Sequence, residues 1–317
     1  VSLGKPFDGL VSVPLRSEDY RLLRDLFCER FGLWFGTDYR FLLERRLRER
    51  LAVLRLESYA EYYQFLRYGV GAADEWDALA DAITNHETYF FREMPQLRSL
   101  RDELLPIFVE RNGAERRLRV WSAACSTGEE PYTLAMLILE SGLFSGWDVR
   151  VFGSDVSKAC VATARRGVYG GSSFRATDDA AKDAWFCSEP RSTASTDPST
   201  DGNERLGVRP TVRALCHFGQ MNLLDDERTV LVGACDMIVC RNVLIYFDQP
   251  SRKRVIDMFY ERLVPGGVLL LGHAESLLNV TTAFELLHLN EDLVYRKPIV
   301  RTPPLVEPSS ALPRNST

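Results

Sequence analysis

Apolar residues recur at helical spacing through the first third of the chain and in short buried runs through the rest, and this change of period divides the molecule. Ser17-Glu18-Asp19 precedes Leu22, Leu23, Leu26 and Phe27, with Gly32 beyond, which predicts a capped helix with an acidic first turn. Thr37-Asp38 opens a second helix whose Leu43, Leu47, Leu51 and Leu54 share one stripe. Ser58 and Glu61 form a capping box for a third, which stops at Gly69. A fourth runs through Trp76, Leu79 and Ile83 and ends near Thr84-Asn85, so residues 1–84 read as a small helical bundle. Residues 85–111 read as a linker and a helix that begins around Pro95 and carries Leu97, Leu100, Leu104 and Ile107.

From residue 112 the period shortens. Leu118 and Val120 begin an apolar run, Ala123-Ala124-Cys125-Ser126-Thr127-Gly128 forms a small-residue loop, and Glu129-Glu130-Pro131 opens a largely apolar helix through Leu134 and Met136–Leu139. A strand delivering a tight loop to a helix start is the first half-unit of a doubly wound α/β sheet, where ligands sit at the carboxyl ends of the strands. Val149–Asp155 is a second strand, and a helix from Ser157 to Arg166 closes at Gly167.

Between Tyr169 and Gly219 the alternation breaks. A short helical pattern (Ala180–Phe186), a Ser/Thr/Pro/Asp-rich stretch over 188–203 and β-like alternation from Leu206 to Phe218 predict an inserted small antiparallel subdomain, 169–219, with a mobile loop. The sheet is expected to resume with Met221–Leu224 and then Asp236–Cys240, which delivers Arg241-Asn242 to its carboxyl end. A helix from Ser251 to Leu263, a Pro265-Gly266-Gly267 turn into Val268–Leu271, and an antiparallel pair (Ala283–Leu289, Leu293–Arg296) complete a unit spanning 112–297. The Pro/Ser-rich residues 298–317 read as a disordered tail.

Composition narrows the function classes. A chain of 317 residues with 45% hydrophobic content can bury a substantial core. Its net charge of −5 argues against broad binding to nucleic acid or anionic membrane. There is no apolar run of membrane-span length and no basic-then-apolar leader pattern, so the cytoplasm is the expected compartment. Seven scattered cysteines without C-x-x-C spacing read as reduced core residues, and four distant histidines offer no metal cluster. One local exception to the acidic balance is the second helix, where Arg40, Arg45, Arg46, Arg48, Arg50 and Arg55 face only Glu44 and Glu49. That face is either solvated or a docking surface for an acidic partner helix.

The candidate chemistry gathers at the strand ends. The first loop holds one glycine, not G-x-G-x-x-G, so pyrophosphate is not the expected ligand. Glu129 and Glu130 at a helix start suit a ligand with a positive group, or simply complement the helix dipole. Asp155 ends the second strand, where a carboxylate matches two ribose hydroxyls; the other reading makes it a helix cap. Thr88 and Arg92 flank the aromatic triplet Tyr89-Phe90-Phe91 at the junction of the two units, where pockets commonly form.

Five stretches in this order, T-x-F-F-R (88–92), S-A-A-C-S-T-G-E-E-P-Y (122–132), G-S-D (153–155), N-L-L (222–224) and C-R-N-V-L-I-Y-F-D (240–248), with G-H-A-E-S (272–276) after them, resemble the CheR-type chemotaxis receptor glutamate O-methyltransferases. The likeness covers the chain up to about Lys297. It implies a class I S-adenosylmethionine-dependent methyltransferase sheet of Rossmann-like α/β class, a helical N-terminal domain and an inserted antiparallel β-subdomain. It implies S-adenosylmethionine as methyl donor, S-adenosylhomocysteine as product and no metal. Carried over residue by residue, it implies cofactor contacts at Thr88, Arg92, Ala123, Glu130 (near the methionine ammonium), Asp155 (ribose), Asn222 and Leu223 (adenine), Arg241 and Asn242, with Tyr246 close to the transferring methyl. The family often has asparagine two places before the threonine; here that place is His86, which is carried as the implied cofactor contact, with Asn85 one step earlier. The implied partners are chemoreceptor cytoplasmic helices, with neither nucleic acid nor membrane insertion; the Arg40–Arg55 helix and the inserted subdomain are the candidate contact surfaces, the helix face having solvation as its other reading.

A glutamate acceptor, with a reference pKa of about 4.3, is already ionised at neutral pH, so such a reaction needs alignment and no general base. Arg92 is expected to orient one carboxylate oxygen and leave the other free, and Tyr246 to position either group by its hydroxyl.

Overall fold

The computed structural model describes residues 13–188 and 205–299. The loop expected to be mobile falls almost wholly outside these residues, as does the tail beyond Ile299.

Helices α1 (Ser17–Phe31), α2 (Arg40–Leu54), α3 (Tyr59–Tyr68) and α4 (Ala72–Ile83) form the N-terminal bundle around Leu23, Phe27, Leu43, Leu47, Leu51, Tyr62 and Leu79. The capping box of α3 is split: Ser58 accepts from the Glu61 amide, while the Glu61 carboxylate reaches back to the Glu57 amide at 2.9 Å. The helix expected near Pro95 comes as α5 (Met94–Ser99), a π turn over Leu100–Leu104, and α6 (Leu105–Asn112).

The sheet strands are β1 (Arg117–Ala123), β2 (Asp148–Asp155), β6 (Cys216–Gln220), β7 (Cys235–Cys240), β8 (Leu263–Leu271), β9 (Glu285–His288) and β10 (Leu293–Arg296). Their order is β6-β2-β1-β7-β8-β10-β9; the first five are parallel and the last two close the edge as an antiparallel hairpin. The chain moves outward from β1 to one side and then returns to build the other, so the switch point lies between β1 and β7, where a crevice opens. Alternating strand residues feed cores on the two faces: Val120 packs with α7 (Glu129–Glu140), and Trp121 with α12 (Gln249–Arg262). Short helices α8 (Lys158–Arg166), α9 (Asp179–Trp185), α10 (Pro210–Arg213) and α11 (Asp226–Thr229) fill the connections.

The second sheet is small and antiparallel, in the order β3-β5-β4, from β3 (Val168–Tyr169), β4 (Phe186–Ser188) and β5 (Leu206–Val208). Two expectations are corrected here. The insertion does not run to residue 219, because Cys216–Gln220 pairs in parallel with Val151–Asp155 and belongs to the main sheet. The alternation from Leu206 to Phe218 is two strands of different sheets separated by the α10 turn, and period alone does not mark that break. Met221–Leu224 is the loop leaving β6 and not a strand of its own.

The bundle is fastened to the carboxyl ends of the strands. Ser157 donates to Asp81 at 2.5 Å, Gln220 to Asp77 at 2.7 Å, and Asn222 to the Arg30 carbonyl at 2.6 Å. Leu33 bridges Phe247, and the Trp34 amide donates to the Tyr246 carbonyl at 2.8 Å, so the α1–α2 linker is tied to the loop after β7.

Candidate active site at the strand ends

A cavity of about 640 Å³ lies between the bundle and the carboxyl ends of β1, β2, β6 and β7. Its size suits a drug-sized ligand, for which pockets of ~300–1,000 Å³ are usual. His86, Thr88, Arg92, Glu130, Asp155, Asn222, Leu223, Arg241, Asn242 and Tyr246 all line it. Ala123 does not: it is fully buried in the core beneath, because strand alternation turns it inward, and Ala124 and Cys125 line the cavity in its place.

The small-residue loop is small for two reasons. Gly128 sits at φ +97°, and a Cβ there would come within 2.6 Å of the Ala164 Cβ. With the loop so placed, the Ser126 amide donates to Asp155 Oδ2 and the Ser157 amide to Oδ1, each at 2.8 Å. The cap of α8 is the Ser157 side chain, so Asp155 is the carboxylate that joins two loops at the cavity wall. Burial raises its pKa, and the two amides oppose that rise.

The paired glutamates divide. Glu129 is buried and accepts from Thr127 Oγ1 at 2.6 Å and Ser173 Oγ at 2.8 Å, away from the cavity. Glu130 lines it, with a side chain 16% exposed; Oε1 accepts from Ser122 at 2.7 Å and Oε2 from Arg241 Nη1 at 3.3 Å. Burial raises the Glu130 carboxyl and Arg241 pulls it back down, with the net direction upward.

Phe90 and Phe91 are core: Phe90 packs against Tyr169, Phe174 and Phe186. Tyr89, Thr88 and Arg92 remain at the cavity. Arg92 donates from Nη1 to the Glu87 carbonyl at 3.1 Å, leaving most of its fork available. The Tyr246 hydroxyl accepts from Asn85 Nδ2 at 3.0 Å, so its own proton is available to the cavity.

His86 is a correction of position. Its Nε2 lies 3.0 Å from the Asp81 carbonyl and its Nδ1 3.1 Å from Cys160 Sγ, so both ring nitrogens face the protein. Asn85 takes the polar place beside Tyr246.

Sequence reasoning missed two carboxylates. Glu275 accepts from the amides of Gly272, Asn242, Val243 and Leu244 at 2.7–2.9 Å and of Ile245 at 3.3 Å, which fixes the loop from Arg241 to Tyr246. Glu93 pairs with Arg241 at 2.8 Å. Both lie within or beside the quoted stretches, but an acceptor whose donors lie far away in the chain, backbone amides for Glu275 and the Arg241 side chain for Glu93, has no spacing signature. Also unforeseen were the bundle residues on the wall, Trp34, Phe35, Tyr39, Leu42 and Arg46.

Residues 86–293 match the family described as CheR methyltransferase, SAM binding domain, and residues 18–84 match CheR methyltransferase, all-alpha domain. The chain belongs to the CheR methyltransferase family. A CheR-family relative in Vibrio cholerae serotype O1, named chemotaxis protein methyltransferase 2, is 32% identical over 289 residues, 90% of this chain and 95% of its own. One of the same name in Pseudomonas aeruginosa is 34% identical over 265 residues, 83% of this chain and 88% of its own.

The CheR-family cofactor is S-adenosylmethionine. The residues present fit it: Glu130 presents a partly open carboxylate for an ammonium, Asp155 an acid at the end of β2, and Met221, Leu223 and Val156 an apolar wall. Asn242 Oδ1 is a buried acceptor with no partner, an atom that a ligand donor would satisfy. Among the described residues no group of three His, Cys, Asp or Glu is placed to hold a metal, and no helix is long and apolar enough to cross a membrane.

Proposed function

We propose that this CheR-family methyltransferase acts in the cytoplasm on glutamate side chains of chemoreceptor helices, forming methyl esters. The observation that carries this reading is the composition of the cavity. Its lining joins carboxylates suited to a cationic cofactor, Glu130 and Asp155, with Arg92 and Tyr246, and the imidazole that could serve as a base, His86, is engaged through both ring nitrogens. A carboxylate acceptor needs no base, because it is ionised at neutral pH.

S-adenosylmethionine supplies a methyl group on a positively charged sulfur. The chain's own part is to bind, orient and exclude water. Glu130 holds the ammonium end, Asp155 the ribose end, and Asn222 with Leu223 the adenine side. The Asn222 amide is committed to the Arg30 carbonyl and the Leu224 amide, so its role is to fix the wall. Arg92 orients the acceptor carboxylate through one oxygen, and the Tyr246 hydroxyl, held by Asn85, donates to the reacting groups. Alignment of this kind supplies on the order of 7–11 kcal/mol of barrier lowering.

Receptor docking through α2 narrows to fewer residues than the sequence offers. Arg40 bonds Ser17, Arg46 the Ile83 carbonyl, Arg48 pairs with Glu44 and Arg50 with Glu75. The side chains of Arg45 and Arg55 are exposed and make no hydrogen bond or ion pair among the described residues, so they are the proposed contacts.

The test is transfer of labelled methyl from S-adenosylmethionine to a chemoreceptor cytoplasmic fragment, followed by mild alkali. Release of the label as methanol is expected; alkali-stable label would overturn the carboxyl acceptor.

A further inference from the structure

The buried charges around Arg241 do not balance. Its side chain is 4% exposed and faces two carboxylates, Glu93 at 17% exposure and Glu130 at 16%. One cation between two anions leaves a deficit of positive charge among largely buried side chains, and such a cluster favours a cationic ligand.

The two carboxylates do not share the guanidinium equally. Nη2 donates to Glu93 Oε2 at 2.8 Å and to the Arg92 carbonyl at 2.7 Å, whereas Glu130 receives only Nη1, at 3.3 Å. Arg241 is thus anchored at its far end, on the linker side, and reaches Glu130 with its weaker contact. Glu93 is placed for this at a conformational cost, since its φ of +60° is left-handed and a non-glycine residue adopts it against about 1 kcal/mol or more. Its other neighbours are Asn242 Nδ2 at 3.5 Å and the half-exposed His273 at 3.9 Å. Burial acts to raise the Glu93 carboxyl and Arg241 to lower it, with the net direction downward, so it stays charged at neutral pH.

We propose that Glu93 is a specificity residue for the amino-acid end of the cofactor: by holding Arg241 away, it keeps Glu130's negative charge available to the ligand ammonium. This rests on the reading of Glu130 given above. Without Glu93, Arg241 swings fully onto Glu130, the pair neutralises, and the ammonium loses its counter-charge while the nucleoside end is untouched.

Two ligands separate those ends. S-adenosylhomocysteine carries the amino-acid group; 5′-methylthioadenosine keeps the nucleoside and thioether without it. Calorimetric titration of the full chain should show Glu93→Gln weakening S-adenosylhomocysteine by about tenfold or more while 5′-methylthioadenosine changes by less than about twofold. The charge-keeping Glu93→Asp should hold S-adenosylhomocysteine within about threefold of the wild type. Equal weakening of both ligands by Glu93→Gln would reduce Glu93 to a packing role, and unchanged S-adenosylhomocysteine binding would remove it from recognition. Glu93→Asp serves if the glutamine variant does not fold: loss of S-adenosylhomocysteine by tenfold or more there, with charge retained, would overturn the charge account. A folded wild type that binds neither ligand would overturn the cofactor reading itself, an outcome distinct from all of these.

Discussion

Helix α2 and the carboxyl ends of β1, β2 and β7 both concentrate charge, and they use it in opposite ways. On α2, four of the six arginines read from the sequence are committed inside the molecule; Arg50 and Tyr62 together hold Glu75, which is 3% exposed. At the strand ends, Glu93 and Glu130 outnumber Arg241, and Glu130 and Asp155 open onto a cavity. A run of like charge in sequence can therefore be structural, while a few scattered acids are brought together at a cavity. What separates them is whether each charge finds a fixed partner in the fold.

That contrast is broken most severely at Arg50. Arg50→Ala leaves Glu75 buried without its cation, and the fold should lose about 3–5 kcal/mol, read as a lowered midpoint of thermal or urea unfolding, with S-adenosylhomocysteine affinity of the folded fraction unchanged. An unchanged midpoint would mean that the α2 charges are not structural. Next comes Arg92→Ala, expected to lower receptor methylation by about thirtyfold while S-adenosylhomocysteine affinity moves by less than about threefold. Equal losses would make Arg92 a cofactor anchor and not an acceptor anchor. Smallest is the exposed remnant of α2: Arg45→Glu with Arg55→Glu should raise the KM for receptor about fivefold without moving kcat or the unfolding midpoint. A KM that does not move would return the whole helix to a structural role.

The architecture was largely legible because periodicity reports it directly: four amphipathic helices, buried parallel strands and a strand-loop-helix start all leave a spacing. Asp155 and Glu130 were legible for the same reason, since each sits at a defined end of a strand or helix. The edge strand Cys216–Gln220 was not, because alternation does not say which sheet a strand joins. Partner choice was least legible. Nothing in the sequence shows that His86 turns to Asp81 and Cys160, that Glu275 gathers the amides of the loop after β7, or that Arg241 is held from behind by Glu93. Most of these pairings join residues that are remote in sequence, and Glu93 and Asn242 sit on left-handed backbone without the glycine that usually marks such turns.

The central claim is that the strand-end cavity is the S-adenosylmethionine site with Asp155 as one of its anchors. Calorimetric titration of S-adenosylhomocysteine into the wild type and Asp155→Ala tests it most directly. The account predicts binding by the wild type, weakened about 100-fold by the substitution, or about 2.7 kcal/mol. A folded wild type that fails to bind, or a variant that binds as tightly as the wild type, would contradict it.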